Sequence, residues 1–116
     1  MGCPATACGL KCVIAGVVSN VVDLYNSVTG TWSTAQLSVG RIMLVAASVG
    51  NIAVFAGGED TSYSNVVDLY NSATGKWSTA QLSVARQWIA ATSVGNLAMF
   101  GGGEMSGALL CMNWKA

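Results

Sequence analysis

Residues 64–86 read SNVVDLYNSATGKWSTAQLSVAR, and residues 19–41 read SNVVDLYNSVTGTWSTAQLSVGR. The two stretches are offset by 45 residues, and comparison of residues 19–59 with residues 64–104 gives 30 identities in 41 positions. Chance does not produce this agreement, so the chain is a tandem array of one structural unit. A period of roughly 40–50 residues is typical of propeller blades, and helical repeats of similar length compete with them.

The pattern within one period favours strands over helices. Four short β-rich segments follow one another: 65–70, 76–81, 87–94 and 97–101. In the first of them, Val67 and Leu69 lie on the face opposite Asp68. Turn-forming residues at 71–75 and 95–96 separate the segments, and no window combines a helix N-cap, a long apolar stripe and a C-cap. One period therefore predicts four strands joined by tight turns.

Two of the predicted strands are apolar on both faces, namely 52–56 (IAVFA) and 97–101 (LAMFG). A half-exposed strand alternates in polarity, so these sequences predict sheets stacked face to face on their neighbours. The composition agrees, because 53% of the residues are hydrophobic and only 9% are charged. Few strand positions are therefore expected to contact water.

Composition also argues against several functional classes. Five Lys and Arg balance five Asp and Glu, so there is no basic field to attract nucleic acid. The chain has no His, which removes the commonest general base and metal ligand, and we predict no catalytic site, metal or cofactor. No apolar run approaches the roughly 18 residues of a membrane span. No secretory signal is recognisable either, so a cytoplasmic location is favoured.

The glycine and aromatic positions of the repeat resemble those of kelch repeats. In that family a Gly-Gly doublet ends one strand, a Tyr ends the next, and a Trp follows about seven residues later. The matching residues are Gly57, Gly58, Tyr70 and Trp77 in the middle of the chain, Tyr25 and Trp32 in the first copy, and Gly102 and Gly103 in the last. The resemblance covers about residues 13–104. It implies an all-β fold of antiparallel four-stranded kelch-type propeller blades.

The conspicuous residues of the repeat have structural interpretations. Glycine lets backbones pass closely where a side chain would clash, and we expect Tyr70 and Trp77 to fill the space between blades. Six of the ten charges recur between the copies, as Asp23 and Asp68, Arg41 and Arg86, and Glu59 and Glu104. We interpret these charges as internal pairs that also satisfy loop backbone. The alternative is a polar binding rim or a central ring of charges.

The repeat divides the chain into five segments. These are a Cys-containing and poorly ordered segment at 1–12, a partial blade at 13–36, a complete blade at 41–81, a second partial blade at 86–104 and a divergent tail at 105–116. Closed propellers have roughly four to eight blades, so about two and a half blades are too few for a ring. The blade faces and strand edges that an open array exposes predict self-association.

The ends of the chain carry two further patterns. Cys3, Cys8 and Cys12 lie near the N-terminus and Cys111 near the C-terminus, with spacings unsuited to a zinc site. We predict unpaired thiols, with a disulfide from Cys111 to one of the others as the alternative. The N-terminus also matches the myristoylation pattern at Gly2, without the basic residues that support membrane anchoring.

The kelch resemblance implies a non-catalytic protein–protein interaction module in which loops on one face contact the partner. The candidate binding residues are Glu59, Asp60 and Tyr63 in the loop after the Gly-Gly doublet, and Arg41, Arg86 and Trp88 in the links between strands. One alternative is a carbohydrate or other small ligand that stacks on Trp88 or Tyr63. Another is a structural fragment, or a self-associating subunit of a larger propeller.

Overall fold

The structure is a computed structural model, and it describes residues 18–105. These residues form eight β-strands and no helix. The strands are β1 (Val21–Asn26), β2 (Thr31–Gln36), β3 (Val45–Val49), β4 (Ile52–Ala56), β5 (Val66–Asn71), β6 (Lys76–Gln81), β7 (Ala90–Val94) and β8 (Leu97–Gly101). Every strand pairing is antiparallel. The predicted all-β fold of antiparallel sheets is therefore confirmed.

The eight strands form three sheets. A four-stranded sheet, here called the complete sheet, has the order β3-β4-β5-β6. It is preceded by a two-stranded sheet of β1 and β2, the N-terminal half-sheet, and followed by one of β7 and β8, the C-terminal half-sheet. By the 45-residue offset, β1 and β2 correspond to β5 and β6, while β7 and β8 correspond to β3 and β4. The strands of residues 18–105 close no propeller ring, in agreement with the prediction.

The strand boundaries follow the sequence pattern closely, with one exception. The predicted strands 76–81 and 97–101 are confirmed, and the strand predicted at 65–70 lies one residue later. The strand predicted at 87–94 begins only at Ala90, because Trp88 has a left-handed backbone with φ 57° that interrupts an extended chain. The turn before β8 contains Gly95, whose φ of 56° suits a two-residue hairpin loop.

The core lies where the two middle strands of the complete sheet meet. Val54 and Ala56 of β4 and Val67 of β5 are buried. The interpretation of IAVFA as a strand covered on both faces holds for β4 on the face of Val54 and Ala56, while Phe55 on the other face is half-buried. It fails for LAMFG, because in β8 Leu97 and Met99 are 59% and 46% exposed. No strand of residues 18–105 other than β7 pairs with β8, so its apolar side chains lack the cover that β5 gives β4.

Glycines allow the complete sheet to approach the links beside it. Gly57 and Gly58 both have positive φ, at 72° and 94°. A Cβ on Gly57 would lie 2.7 Å from the carbonyl oxygen of Arg86, and one on Gly58 would overlap the carbonyl oxygen of Ile42. The amide of Gly58 donates to the same Arg86 oxygen over 2.9 Å. The expected close backbone approach is thus present at both glycines of the doublet.

The aromatic contacts of residues 18–105 run within sheets. Trp77 lies 4.9 Å from Tyr70 and 6.2 Å from Phe55, as measured between ring centroids, and all three belong to the complete sheet. The equivalent pair in the N-terminal half-sheet, Tyr25 and Trp32, is 5.0 Å apart. The rings were expected between neighbouring blades. The structure instead places Trp77 across its own sheet, because register sets it directly beside Tyr70.

Candidate functional site

Chain direction brings all six candidate binding residues to one end of the sheets. β4 and β6 end there, and β3 and β5 begin there. We call this the loop end, and define it as residues 37–44, 57–65, 82–89 and 102–104. The opposite end carries only tight turns, such as 50–51 and 72–75. The longer connections between strands therefore all lie at the loop end.

Arg41 is buried at the loop end rather than displayed there. Its side chain is 0% exposed, and its guanidinium donates to the carbonyl oxygens of Gly57 (2.9 Å) and Val66 (2.7 Å). It also forms a 2.6 Å ion pair with Asp68, whose other carboxylate oxygen accepts from the amide of Ser38. Burial lowers the pKa of Arg41, and the negative charge of Asp68 opposes that shift. The contacts of Arg41 therefore match the interpretation of an internal pair that satisfies loop backbone.

Arg86 occupies the same position in the next repeat with fewer contacts. Its guanidinium donates to the carbonyl oxygens of Val84 (3.3 Å) and Gly102 (2.8 Å). These bonds repeat those from Arg41 to Val39 and Gly57. Within residues 18–105 Arg86 forms no ion pair, since the carboxylate equivalent to Asp68 is missing. Arg86 is half-buried and retains part of its donor capacity.

The predicted binding loop after the glycine doublet is held by its own backbone. Glu59 exchanges two backbone hydrogen bonds of 2.9 Å with Ile42 and is 9% exposed. The side chain of Asp60 accepts from the amides of Thr61 and Ser62, at 2.5 Å and 3.2 Å. This is the local pattern by which Asp fixes turns. The loop is therefore rigid at its base, and Thr61 and Ser62 form its exposed tip.

Tyr63 extends from this loop to the following repeat. Its hydroxyl donates to Glu104 over 3.2 Å, and the amide nitrogen of Gln87 donates to the same carboxylate oxygen over 3.0 Å. Burial raises the pKa of Tyr63, and its hydrogen bond to Glu104 adds to the shift. Gln87 is 5% exposed, and its buried Oε1 atom has no hydrogen-bond partner within residues 18–105. Tyr63 is thus part of a polar network between two repeats.

Among the large hydrophobic side chains of the loop end, those of Trp88 and Met43 are the most exposed. Trp88 is 61% exposed, and its indole N–H points at the sulfur of Met43 over 2.9 Å. Met43 occupies the equivalent position one repeat earlier and is 46% exposed. Both residues have a left-handed backbone, with φ 59° for Met43 and 57° for Trp88. Sequence reasoning missed Met43, although the 45-residue offset from Trp88 pointed to it.

The loop end offers exposed surface on which another molecule could bind. Within residues 18–105, no three His, Cys, Asp or Glu side chains are grouped to hold a metal ion. The same part of the chain has no helix long and apolar enough to cross a membrane. Gly2, Cys3, Cys8, Cys12 and Cys111 lie outside the described residues, as do segment 1–12 and nearly all of the tail.

Comparison of the chain with models of protein families gives no match, and comparison with curated proteins gives no similar sequence. The functional argument therefore depends on the geometry of the loop end.

Proposed function

We propose that this chain is a non-catalytic protein-interaction module of kelch-type repeats. Its partner docks on the exposed pair of Met43 and Trp88 at the loop end. The observation that carries the proposal is the left-handed backbone of both residues, at the same position of successive repeats. Bulky residues are uncommon in this conformation, which costs roughly 1–2 kcal/mol each. Strain of this kind is concentrated at functional sites.

The chemistry of the pair suits a protein partner. Trp is among the residues that contribute most to protein interfaces, because it buries a large area at a small entropic cost. Met adapts its shape to an apolar surface. Together, the exposed Trp88 ring and Met43 side chain form an apolar anchor at the loop end.

The surroundings of the pair add rigidity and a polar rim. The Tyr63–Glu104–Gln87 network lies beside it, and the loop tip carries the exposed Thr61. A surface whose backbone is already fixed loses little conformational entropy when a partner binds. In this proposal Asp60 and Tyr63 shape the rim, whereas Arg41 acts from the interior.

Replacing Trp88 with Gly separates binding from folding. Gly tolerates positive φ without strain, so Trp88→Gly removes the ring and keeps the backbone. We expect stability within about 1 kcal/mol of the native value, because the relieved strain offsets the lost sulfur–aromatic contact. The matched control is Val28→Ala, since Val28 is 92% exposed in a turn at the opposite end.

Quantitative affinity enrichment with the three proteins as baits provides the measurement. The proposal predicts a defined set of proteins retained by the native chain and by Val28→Ala, and depleted at least tenfold by Trp88→Gly. Retention of the same set by Trp88→Gly, with its fold verified by circular dichroism, would contradict it.

A second candidate function is carbohydrate binding. It is favoured by the Trp88 indole, which is 61% exposed and offers an aromatic face on which a sugar ring can stack. A glycan array with the native protein and Trp88→Gly tests this candidate. A glycan bound by the first and not by the second supports carbohydrate binding, and the absence of any glycan signal removes it.

A further inference from the structure

We infer that the two half-sheets are complementary halves of one four-stranded sheet, which forms when β8 of one chain pairs with β1 of a second copy. The occupant of each half-sheet edge is therefore another molecule of this protein. The inference is independent of the proposed partner at the loop end, since it concerns the strand edges.

The two half-sheets match the two halves of the complete sheet in strand register, and the N-terminal half-sheet also matches closely in sequence. Residues 19–38 and 64–83 are identical at 18 of 20 positions. β1 pairs with β2 in the register of β5 with β6, so that Tyr25 lies opposite Trp32. β7 pairs with β8 in the register of β3 with β4. Only the pairing equivalent to β4 with β5 is missing from residues 18–105.

The charges at the two edges are complementary. In the complete sheet Arg41 pairs with Asp68, which is 2% exposed. Arg86 keeps two of the equivalent backbone bonds, yet it faces no carboxylate within residues 18–105. Asp23, the equivalent of Asp68, is exposed on β1 with no cationic partner in the same part of the chain. One chain thus supplies the cation and the other the anion of the same ion pair.

Apolar residues are also more exposed in the half-sheets than at the equivalent positions of the complete sheet. Val54 is 4% exposed in β4, whereas its equivalent Met99 in β8 is 46% exposed. Trp77 stacks on Phe55 and is half-buried, whereas its equivalent Trp32 is 69% exposed. Phe100 is the repeat equivalent of Phe55, so joining the half-sheets brings it to Trp32 of the second copy.

The repeat fixes the register of the junction. In the complete sheet Phe55 pairs with Asp68 and Val54 with Leu69. The equivalent pairs between copies are Phe100 with Asp23 and Met99 with Leu24. The guanidinium of Arg86 then reaches both the Asp23 carboxylate and the carbonyl oxygen of Val21, as Arg41 reaches Asp68 and Val66. Pairing of this kind, in which a strand is added at an exposed edge, is a common mode of recognition.

The count of strands predicts the assembly. The eight strands of residues 18–105 amount to two four-stranded sheets once each half is completed. The contact joins the C-terminal half-sheet of one copy to the N-terminal half-sheet of the next, so it is heterologous and generates a ring if the rotation closes. Closed propellers have roughly four to eight blades, which corresponds to two to four copies.

Segments 1–17 and 106–116 are the competing occupants, because they adjoin β1 and β8 in the chain. At the β8 edge the charges favour the second copy over segment 106–116, whereas at the β1 edge segment 1–17, with Lys11 and the partial-blade residues 13–17, is the competitor that the experiment below excludes. The tail carries Asn113 at the repeat position of Asp68, which has no charge to pair with Arg86. Only the β1 strand offers the carboxylate at that position.

Charge reversal in the full-length chain tests the inference by sedimentation velocity across a range of concentrations. Arg86→Glu and Asp23→Arg each place like charges at the junction, and the double variant restores an opposite pair in reversed order. The matched control is Lys76→Glu, which changes the net charge as Arg86→Glu does but lies on β6 beside a turn. Circular dichroism verifies the fold of each variant.

The native chain and Lys76→Glu are expected to form an assembly of two to four chains. Each single reversal is expected to weaken it by more than tenfold in dissociation constant, because truncating a buried charge pair is already costly. The double variant is expected to recover most of the association. A native chain that stays monomeric at every concentration would overturn the inference. So would an assembly that both single reversals leave intact, which would assign the edges to the chain's own terminal segments.

Discussion

Asp68 and Asp23 occupy the same position of two nearly identical hairpins, and their environments differ completely. Asp68 is 2% exposed and paired with Arg41, whereas Asp23 is exposed on β1. The two hairpins share their register and most of their residues. The difference therefore comes from the neighbouring strand, since β4 lies beside β5 and no strand of residues 18–105 lies on that side of β1. In this protein, completion of the sheet decides which charges are internal.

The largest expected difference between the two regions concerns these carboxylates. Asp68→Ala leaves a buried guanidinium without its counter-ion, and breaking a buried pair in this way costs about 3–5 kcal/mol. Asp23→Ala removes an exposed charge and is expected to change stability by less than about 0.5 kcal/mol. Urea unfolding at low protein concentration measures both. A loss for Asp68→Ala as small as the one expected for Asp23→Ala would show that the complete sheet does not depend on the Arg41–Asp68 pair.

Two glycines at equivalent positions, one after the complete sheet's β4 and one after β8, extend the comparison of the two regions. Gly57 and Gly102 both have φ of 72°, so alanine pays the same backbone cost at each. A Cβ on Gly57 would meet the Arg86 carbonyl at 2.7 Å and the Ile89 side chain at 2.8 Å, whereas one on Gly102 would meet no atom of residues 18–105 within 4 Å. Gly57→Ala is therefore expected to cost about 3 kcal/mol and Gly102→Ala about 1 kcal/mol. Thermal unfolding of the two variants checks the difference, and similar melting temperatures would argue against close packing at Gly57.

The smallest of the three effects involves the tryptophans. Trp77 packs against both Phe55 and Tyr70, while Trp32 contacts only Tyr25 among the rings of residues 18–105. Trp77→Ala is expected to cost about 2 kcal/mol, and Trp32→Ala less than about 1 kcal/mol when the chain is dilute. Denaturant unfolding distinguishes them. A larger loss for Trp32→Ala at low concentration would mean that the N-terminal half-sheet is already completed within one chain.

The fold was largely predictable because turn-forming residues mark the ends of the strands in each repeat. Turn residues before Gly75 and at Gly95 bounded the strands, so β6 and β8 were predicted to the residue. The start of β7 was missed because Trp88 takes a left-handed conformation. The residue type does not predict a left-handed conformation, since aromatic residues prefer extended strands.

The loop end was predictable in part. The recurrence of Arg41 and Asp68 correctly suggested an internal role, yet their pairing joins residues 27 positions apart. That contact arises because Asp68 lies beside Phe55 in the register of β4 with β5, which spacing alone does not reveal. Met43 was missed for a different reason. The 45-residue offset made it equivalent to Trp88, but the two residue types differ, and their shared left-handed backbone is visible only in the structure.

The most direct test of the account is amide hydrogen exchange, measured by mass spectrometry as a function of protein concentration. In dilute protein we expect β4 and β5 to exchange slowly, and β1 and β8 to exchange much faster, because their outer edges are open to water. Protection of β1 and β8 is expected to rise together with concentration, as half-sheets of different copies pair. Edges that are as protected as β4 and β5 at the lowest concentration would contradict the division into complete and half-sheets.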